Sequence, residues 1–233
     1  MKAKLIVLCG IGMLALFPIT SSAGVGDISV GGMLGIATSP GDTDMGTGYG
    51  LLVGGGYQFM EGLIAGKEDG VEGRFEIGYF TWSKDVSPGL GFPSVELKVT
   101  DTPLYFLGRY IYPINEEFKV YGEAGLSINL WEAEVGLPQI CDPYPPYTCY
   151  GGGKAKASDT EIGFAIGGGC EYYISPTFSI GGDLRYNAFS DGSHLILMAL
   201  ANYHILNAIP LPQKESVKEK PAPAAKPAPK KRR

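Results

Sequence analysis

The stretch "VEGRFEIGYFTWSK", Val71 to Lys84, alternates residue by residue: Val71, Phe75, Ile77 and Tyr79 share one parity, and Glu72, Arg74 and Glu76 share the other. A period of two puts successive side chains on opposite faces of an extended strand, and no helix reproduces it. The pattern recurs. Residues 28–37 set Ile28, Val30, Leu34 and Ile36 on one face, with Asp27, Ser29 and three small residues among the others, and 49–59 set Tyr49, Leu51, Val53, Tyr57 and Phe59 against Gly50, Leu52, Gly54, Gly56 and Gln58. Residues 119–130, 160–174 and 178–188 behave alike, with Glu123, Glu161, Glu171, Asp183 and Arg185 on the polar parity.

Two segments depart from this rule. In 95–112 the apolar parity is odd through Val95, Leu97 and Val99, then even from Leu104 onward. A phase slip next to Pro103 predicts a β-bulge there, because a bulge adds one residue and tolerates a missing N–H. The last segment, His194 to Leu206, is apolar on both parities and is read as an eighth strand. With 35 Gly and 14 Tyr in 233 residues, the composition favours strands over helices.

In a soluble sheet the apolar face is the inside; in a membrane barrel the same alternation is inverted. A soluble, lipocalin-like binding barrel accounts for alternation and for eight strands. It does not account for strand ends rich in Tyr, Phe and Trp, nor for charges set opposite small residues. The expected fold is therefore all-β, an eight-stranded antiparallel up-and-down transmembrane β-barrel with its apolar face outward. Short links at Pro113–Phe118 and Ser175–Thr177 and longer ones at Ser39–Thr47, Asp85–Pro93 and Glu132–Ala157 fit short turns at one end and long loops at the other. The Met60–Gly70 link is longer than that scheme predicts.

The chain ends have their own character. Residues 1–23 read as a signal peptide, with Lys2 and Lys4 ahead of an apolar run from Leu5 to Ile19 and small residues before a cleavage point after Ala23. The barrel is expected over 24–206. Residues 207–233 form a Pro/Ala/Lys-rich tail with little to bury, expected to be disordered on the periplasmic side. Residues 24–212 carry nine Lys and Arg against 22 Asp and Glu, whereas 213–233 carry eight Lys and Arg against two Glu. An acidic body with a basic tail points to different partners for the two parts. Export argues against nucleic acid.

"GGGCEYYISPTFSIGGDLRYNAF", "TPLYFLGRYIYP" and "VYGEAGLSINLW" resemble the small outer-membrane barrels of the OmpA/OmpX-like superfamily, over roughly residues 24–206. The resemblance implies a porin-like barrel domain in a Gram-negative envelope, and it specifies architecture rather than activity. Such barrels often end on an aromatic strand, whereas here "ANYHIL" is followed by 27 more residues. In OmpA-type proteins a Pro/Ala-rich linker leads to a peptidoglycan-binding domain. That likeness makes Lys226, Lys230, Lys231, Arg232 and Arg233 candidates for contact with the wall or with anionic lipid. Some related barrels deacylate lipid A through a histidine–any–serine–asparagine run. Here the nearest match, Asn187-Ala188-Phe189-Ser190, lacks the histidine.

The candidate site is the lumen. Glu72, Arg74, Glu76, Lys98, Arg109, Glu123, Glu161, Glu171, Asp183 and Arg185 are expected to form an ion-pair network, since buried charges must be paired. An eight-stranded barrel leaves just enough room for side chains to fill it. Cys141 and Cys149, bracketing "CDPYPPYTC", are expected to form a disulfide in an exported loop that displays Tyr144, Tyr147 and Tyr150. Cys170 falls on the lipid-facing parity as a free thiol. Two histidines with no ligand spacing predict no metal, and no cofactor or catalytic residue is expected. The sequence thus predicts a monomeric, non-enzymatic outer-membrane protein in contact with lipid. Its expected role is envelope integrity or surface contact, with a narrow pore for ions or small solutes as the alternative and a lipid-modifying enzyme third.

Overall fold

The computed structural model describes residues 25–41, 43–64, 69–86, 94–141, 149–190 and 192–206, with the backbone alone at 137–141 and 149–151. Eight strands follow in order: β1 Ile28–Ala37, β2 Gly48–Glu61, β3 Gly70–Val86, β4 Val95–Pro113, β5 Phe118–Cys141, β6 Cys149–Ser175, β7 Phe178–Phe189 and β8 Gly192–Ile205. Each pairs antiparallel with the next, and β1 pairs with β8 from Ile28↔Ile205 to Ala37↔Ile196, so the barrel closes. Closure removes the sheet edges that would otherwise leave backbone groups unpaired in lipid.

Both ends of the barrel chain lie together with the β2–β3, β4–β5 and β6–β7 links. We call this the terminal end, and the other the loop end. At the terminal end Asp69 accepts hydrogen bonds from the Ile64 amide at 3.2 Å and from the Tyr110 hydroxyl at 2.7 Å.

Parity decides the two surfaces. Outward are Val30, Leu34, Ile36, Leu51, Val53, Phe75, Ile77, Phe106, Leu126, Ile162, Phe164, Ile166, Leu184 and Leu197, all exposed. Inward on β3, β5 and β7 are Glu72, Arg74, Glu76, Glu123, Asp183 and Arg185, all buried. Charged inside and apolar outside reverses a soluble barrel, and the lipocalin-like alternative falls with it.

Three expectations need correction. β4 has no bulge at Pro103: the β3–β4 register runs unshifted from Gly70↔Ile111 to Val86↔Val95, and Asp101 and Tyr105 stay inward on either side of the proline. The composition switches because the filling of the lumen switches. Towards the loop end Leu97 and Val99 pack inward on the cluster containing Leu52, Phe80 and Trp82, so the apolar side chains there are the inner ones. Register shifts occur instead at Gln58/Met60 and Tyr173/Ser175, both at the terminal end.

Second, the segment read as a loop over 132–157 is largely strand. β5 and β6 stay in register from Phe118↔Tyr172 to Cys141↔Cys149. Lys154 pairs with Glu134, and Lys156 with Glu132 and Glu134, across this hairpin. Beyond the barrel neither face is apolar, so no alternation marked these residues as strand. Third, Trp82 and Trp131 are not girdle residues. Trp82 shares the parity of Glu76 and lies 5.9 Å from Trp131 inside the barrel, its indole N–H donating to the Thr38 carbonyl at 3.0 Å.

The double apolar pattern of β8 is explained by closure. Ile196, Met198 and Leu200 point inward against Met33 and Leu52, and Leu195 and Leu197 point outward. Met33 on β1, Leu52 on β2 and Ile196, Met198 and Leu200 on β8 give this side of the lumen its apolar residues, whereas the buried charges of the strands lie on β3 to β7. The proposed signal segment 1–23, the tail 207–233 and the loop tip carrying Tyr144 and Tyr147 lie outside the described residues.

Candidate functional site: the charged lumen

Strand parity delivers Glu72, Arg74 and Glu76 to the lumen from β3, Arg109 from β4, Glu123 from β5, Glu171 from β6, and Asp183 and Arg185 from β7. They join into one chain of alternating sign. Arg74 binds Glu72 at 2.9 Å and Glu76 at 3.0 Å. Arg185 binds Glu76 at 2.8 Å and Glu123 at 2.6 Å. Arg109 binds Glu123 at 2.8 Å and Glu171 at 3.1 Å. Asp183 joins at the side, 3.6 Å from Arg185, and accepts a hydrogen bond from the Tyr121 hydroxyl at 2.9 Å.

Aromatic faces cover the cations. The Arg109 guanidinium lies 3.7 Å over the Tyr121 ring, and that of Arg185 4.7 Å from the Tyr105 ring. A planar guanidinium suits such stacking and two-sided bridging better than an ammonium does. The space for these long side chains comes from glycines opposite them. A Cβ on Gly56 would stand 1.6 Å from Glu72 Oε1, so that position takes no side chain while the ion pair is in place.

Above the charges, towards the loop end, lies a neutral layer. Ser127 donates to Asn187 at 2.7 Å, and Asn187 donates to Asn129 at 2.8 Å. The loop end is then filled by rings: His194 is buried, 5.8 Å from Trp82, 5.6 Å from Phe189 and 6.1 Å from Trp131. Towards the terminal end, Ser179 donates to Glu171 at 2.9 Å and shares a 2.9 Å hydrogen bond with His204 Nε2, whose ring stacks on Tyr173 at 4.9 Å.

Of the ten residues expected in the lumen, eight form this chain. Glu161 has inward parity but sits half-buried near the loop end, opposite Asn129, with a partner of its own. Lys98 is corrected: it is exposed, on the outward parity of β4 opposite Glu134, above the apolar belt. It lies in the segment where the inner filling turns apolar, so the polar parity there is the outer one. The aromatic layer and the Ser179–His204 contact were not anticipated. The first was legible from parity, since Phe80 and Trp82 are even-numbered like Glu76; the second needs the register. Cys170 is a free thiol, outward between Val120 and Gly182. Cys141 and Cys149 are backbone partners, and their side chains lie outside the described residues. Among the described residues no three His, Cys, Asp or Glu side chains converge to hold a metal ion.

A closed eight-stranded barrel with an apolar outer belt and an ion-paired interior is a membrane-spanning β-barrel. The chain belongs to the outer membrane protein beta-barrel domain family, whose model matches residues 7–206. It is thus a barrel of the bacterial outer membrane, in contact with lipid. Among solved structures it is similar to Ail, the attachment invasion locus protein of Yersinia pestis, at 17% identity over 78% of this chain and 99% of that one, with a TM-score of 0.47. A major outer membrane protein from Thermus thermophilus gives 17% identity, 77% and 99% coverage and a TM-score of 0.49. OprG from Pseudomonas aeruginosa gives 13%, 79% and 98%, and 0.46. No curated protein matches the chain.

Proposed function

We propose that this protein is a closed-lumen, monomeric barrel whose work is mechanical: it stiffens the outer membrane and holds the β5–β6 hairpin away from the surface for contact. The observation that carries this reading is the Glu76–Arg185–Glu123 bridge, which ties β3, β5 and β7 together across the lumen. Charges so placed resist being pulled apart, because breaking one buried pair strands another charge in a low-dielectric interior. The aromatic layer around His194 supports closure at the loop end.

In this reading residues 1–23 are cleaved on export, the terminal end faces the periplasm, and the basic tail with Lys226, Lys230, Lys231, Arg232 and Arg233 reaches the carboxylates of the wall. The protein turns over no substrate. Planar-bilayer recording tests closure. The wild-type barrel is expected to show no steady single-channel current, and Arg185→Ala to admit small ions. Steady wild-type steps would instead favour the pore, with cations preferred in a lumen rich in carboxylates. Deletion of 213–233 is expected to abolish co-sedimentation with peptidoglycan, and unchanged co-sedimentation would end the tether.

A further inference from the structure

The aromatic layer at the loop end encloses a carboxylate that no other side chain meets. Asp101 on β4 is fully buried, and neither of its side-chain oxygens has a hydrogen-bond partner. Its direct strand partners are Phe80 on β3 and Trp131 on β5. The Trp131 indole N–H and both ring nitrogens of His194 lack partners too, so three side chains of one layer carry unpartnered polar atoms. The lumen below is different. There the unpartnered atoms of Arg74, Asp183, Arg185 and Asn202 belong to groups that bond through another of their atoms.

Among the described residues no cation answers Asp101. Arg74, Arg109 and Arg185 are committed to the ion chain, and Lys84, two residues beyond Trp82, is held by Asp44 at 2.9 Å. The charged group that acts on Asp101 is another carboxylate, Glu161. A buried carboxylate without donor or counter-ion is costly, and a folded interior keeps one only where something else meets it. The surroundings are aromatic: Trp82 lies 6.2 Å from Phe80, 5.9 Å from Trp131 and 5.8 Å from His194. Trp131, Phe189 and Glu161 are half-buried, so the layer is reached from the loop end, where the Trp131 and Phe189 rings lie 5.3 Å apart.

We infer that Asp101 and the rings around it form a binding site for one small organic ammonium ion, which enters at the loop end by parting Trp131 from Phe189. The Asp101 carboxylate supplies the counter-charge and accepts the N–H donors, and the rings of Phe80, Trp82 and Trp131 supply π surface for the cation. A metal ion fits less well, because it needs several oxygen or nitrogen ligands and among the described residues no three such side chains converge. An ammonium ion uses ring surface in their place. The site is a dead end: the Ser127–Asn187–Asn129 layer and the ion chain lie beneath it. It goes beyond the mechanical role and does not rest on it.

Trp82 and Trp131 are the two tryptophans of the chain, so indole fluorescence reports on this layer. The test titrates the folded full-length chain in detergent at pH 9 with methylammonium chloride, against sodium chloride at matched ionic strength. Methylammonium is expected to change the emission saturably, and sodium to leave it unchanged. Asp101→Asn removes the charge and breaks no hydrogen bond, so it is expected to fold, as checked by the gel-mobility shift on boiling. Its apparent affinity for methylammonium is expected to fall by roughly tenfold or more. The wild-type contrast between the two salts stands even where the variant fails to fold. An emission moved equally by both salts, or by neither, would overturn the site, and so would a response kept in full by Asp101→Asn. Emission that follows pH alone, and loses that dependence in Asp101→Asn, would overturn it as well, because Asp101 would then hold a proton and no ligand.

Discussion

Arg185 on β7 reaches across the full width of the barrel to Glu76 on β3, four strands away in either direction, at 2.8 Å. The contact is made between side chains that are both fully buried. It turns a closed sheet into a braced one, because any flattening of the barrel must separate the pair.

Removing the brace should be costly. Arg185→Met leaves Glu76 and Glu123 each with one cation fewer, and the loss is expected to be about 3–5 kcal/mol, as for other broken buried pairs. Urea unfolding from lipid vesicles measures it. Adding Glu76→Gln to Arg185→Met is expected to recover part of the loss, since one stranded charge is then removed.

Gly56 should tolerate no side chain. Its Cβ would fall 1.6 Å from Glu72 Oε1, which must move and take the 2.9 Å pair with Arg74 with it. Gly56→Ala is expected to destabilise by about 1–3 kcal/mol. The outward neighbour Gly55 has its closest contact at 3.0 Å, so Gly55→Ala is expected to cost less in the same assay.

Charge on the outer belt should be penalised by depth. Ile166, midway along the apolar stretch of β6 and 62% exposed, faces lipid. Ile166→Lys is expected to cost about 2–4 kcal/mol, the range for a lysine near the bilayer midplane. Lys98→Ala, above the belt, is expected to change stability by less than about 0.5 kcal/mol.

The projecting hairpin gives a prediction about pH. Hydrogen bonds from Lys154 and Lys156 hold the Glu134 carboxyl below its ordinary 4.5. A depressed carboxylate contributes its pairing above the unfolded value and loses it as pH falls through the folded one. The hairpin cross-links should therefore persist to pH 4.5 and be lost below it. Carboxyl carbon NMR is expected to show Glu134 titrating below 4.5, and Lys154→Ala to move it back towards that value. High salt should shrink the effect, because these groups are solvent-exposed.

Cys141 and Cys149 face each other across the β5–β6 ladder as direct backbone partners. Directly opposed Cα atoms in an antiparallel pair lie roughly 4.5–5.5 Å apart, within disulfide range. Alkylation of the denatured, unreduced protein is expected to label Cys170 but neither of these two. Labelling of all three would show the bridge absent.

The sequence by itself determined that strands form, how many there are, and which parity meets lipid. Those properties are local: a two-residue period survives whatever the partner strand, and "VEGRFEIGYFTWSK" already separates Phe75, Ile77 and Tyr79 from Glu72, Arg74 and Glu76. It failed where the period carries no polarity contrast, as in the β5–β6 hairpin beyond the belt, and where the contrast reverses, as at Leu97 and Val99. What only the tertiary structure decided is who meets whom inside. Arg185 and Glu76 are 109 residues apart in sequence. Their distance is set by closure of β1 on β8 and by the register of seven hairpins, and each register step moves a side chain by a full residue pair. Alternation placed the charges in the lumen, and closure of the ring of strands decided the order in which they meet.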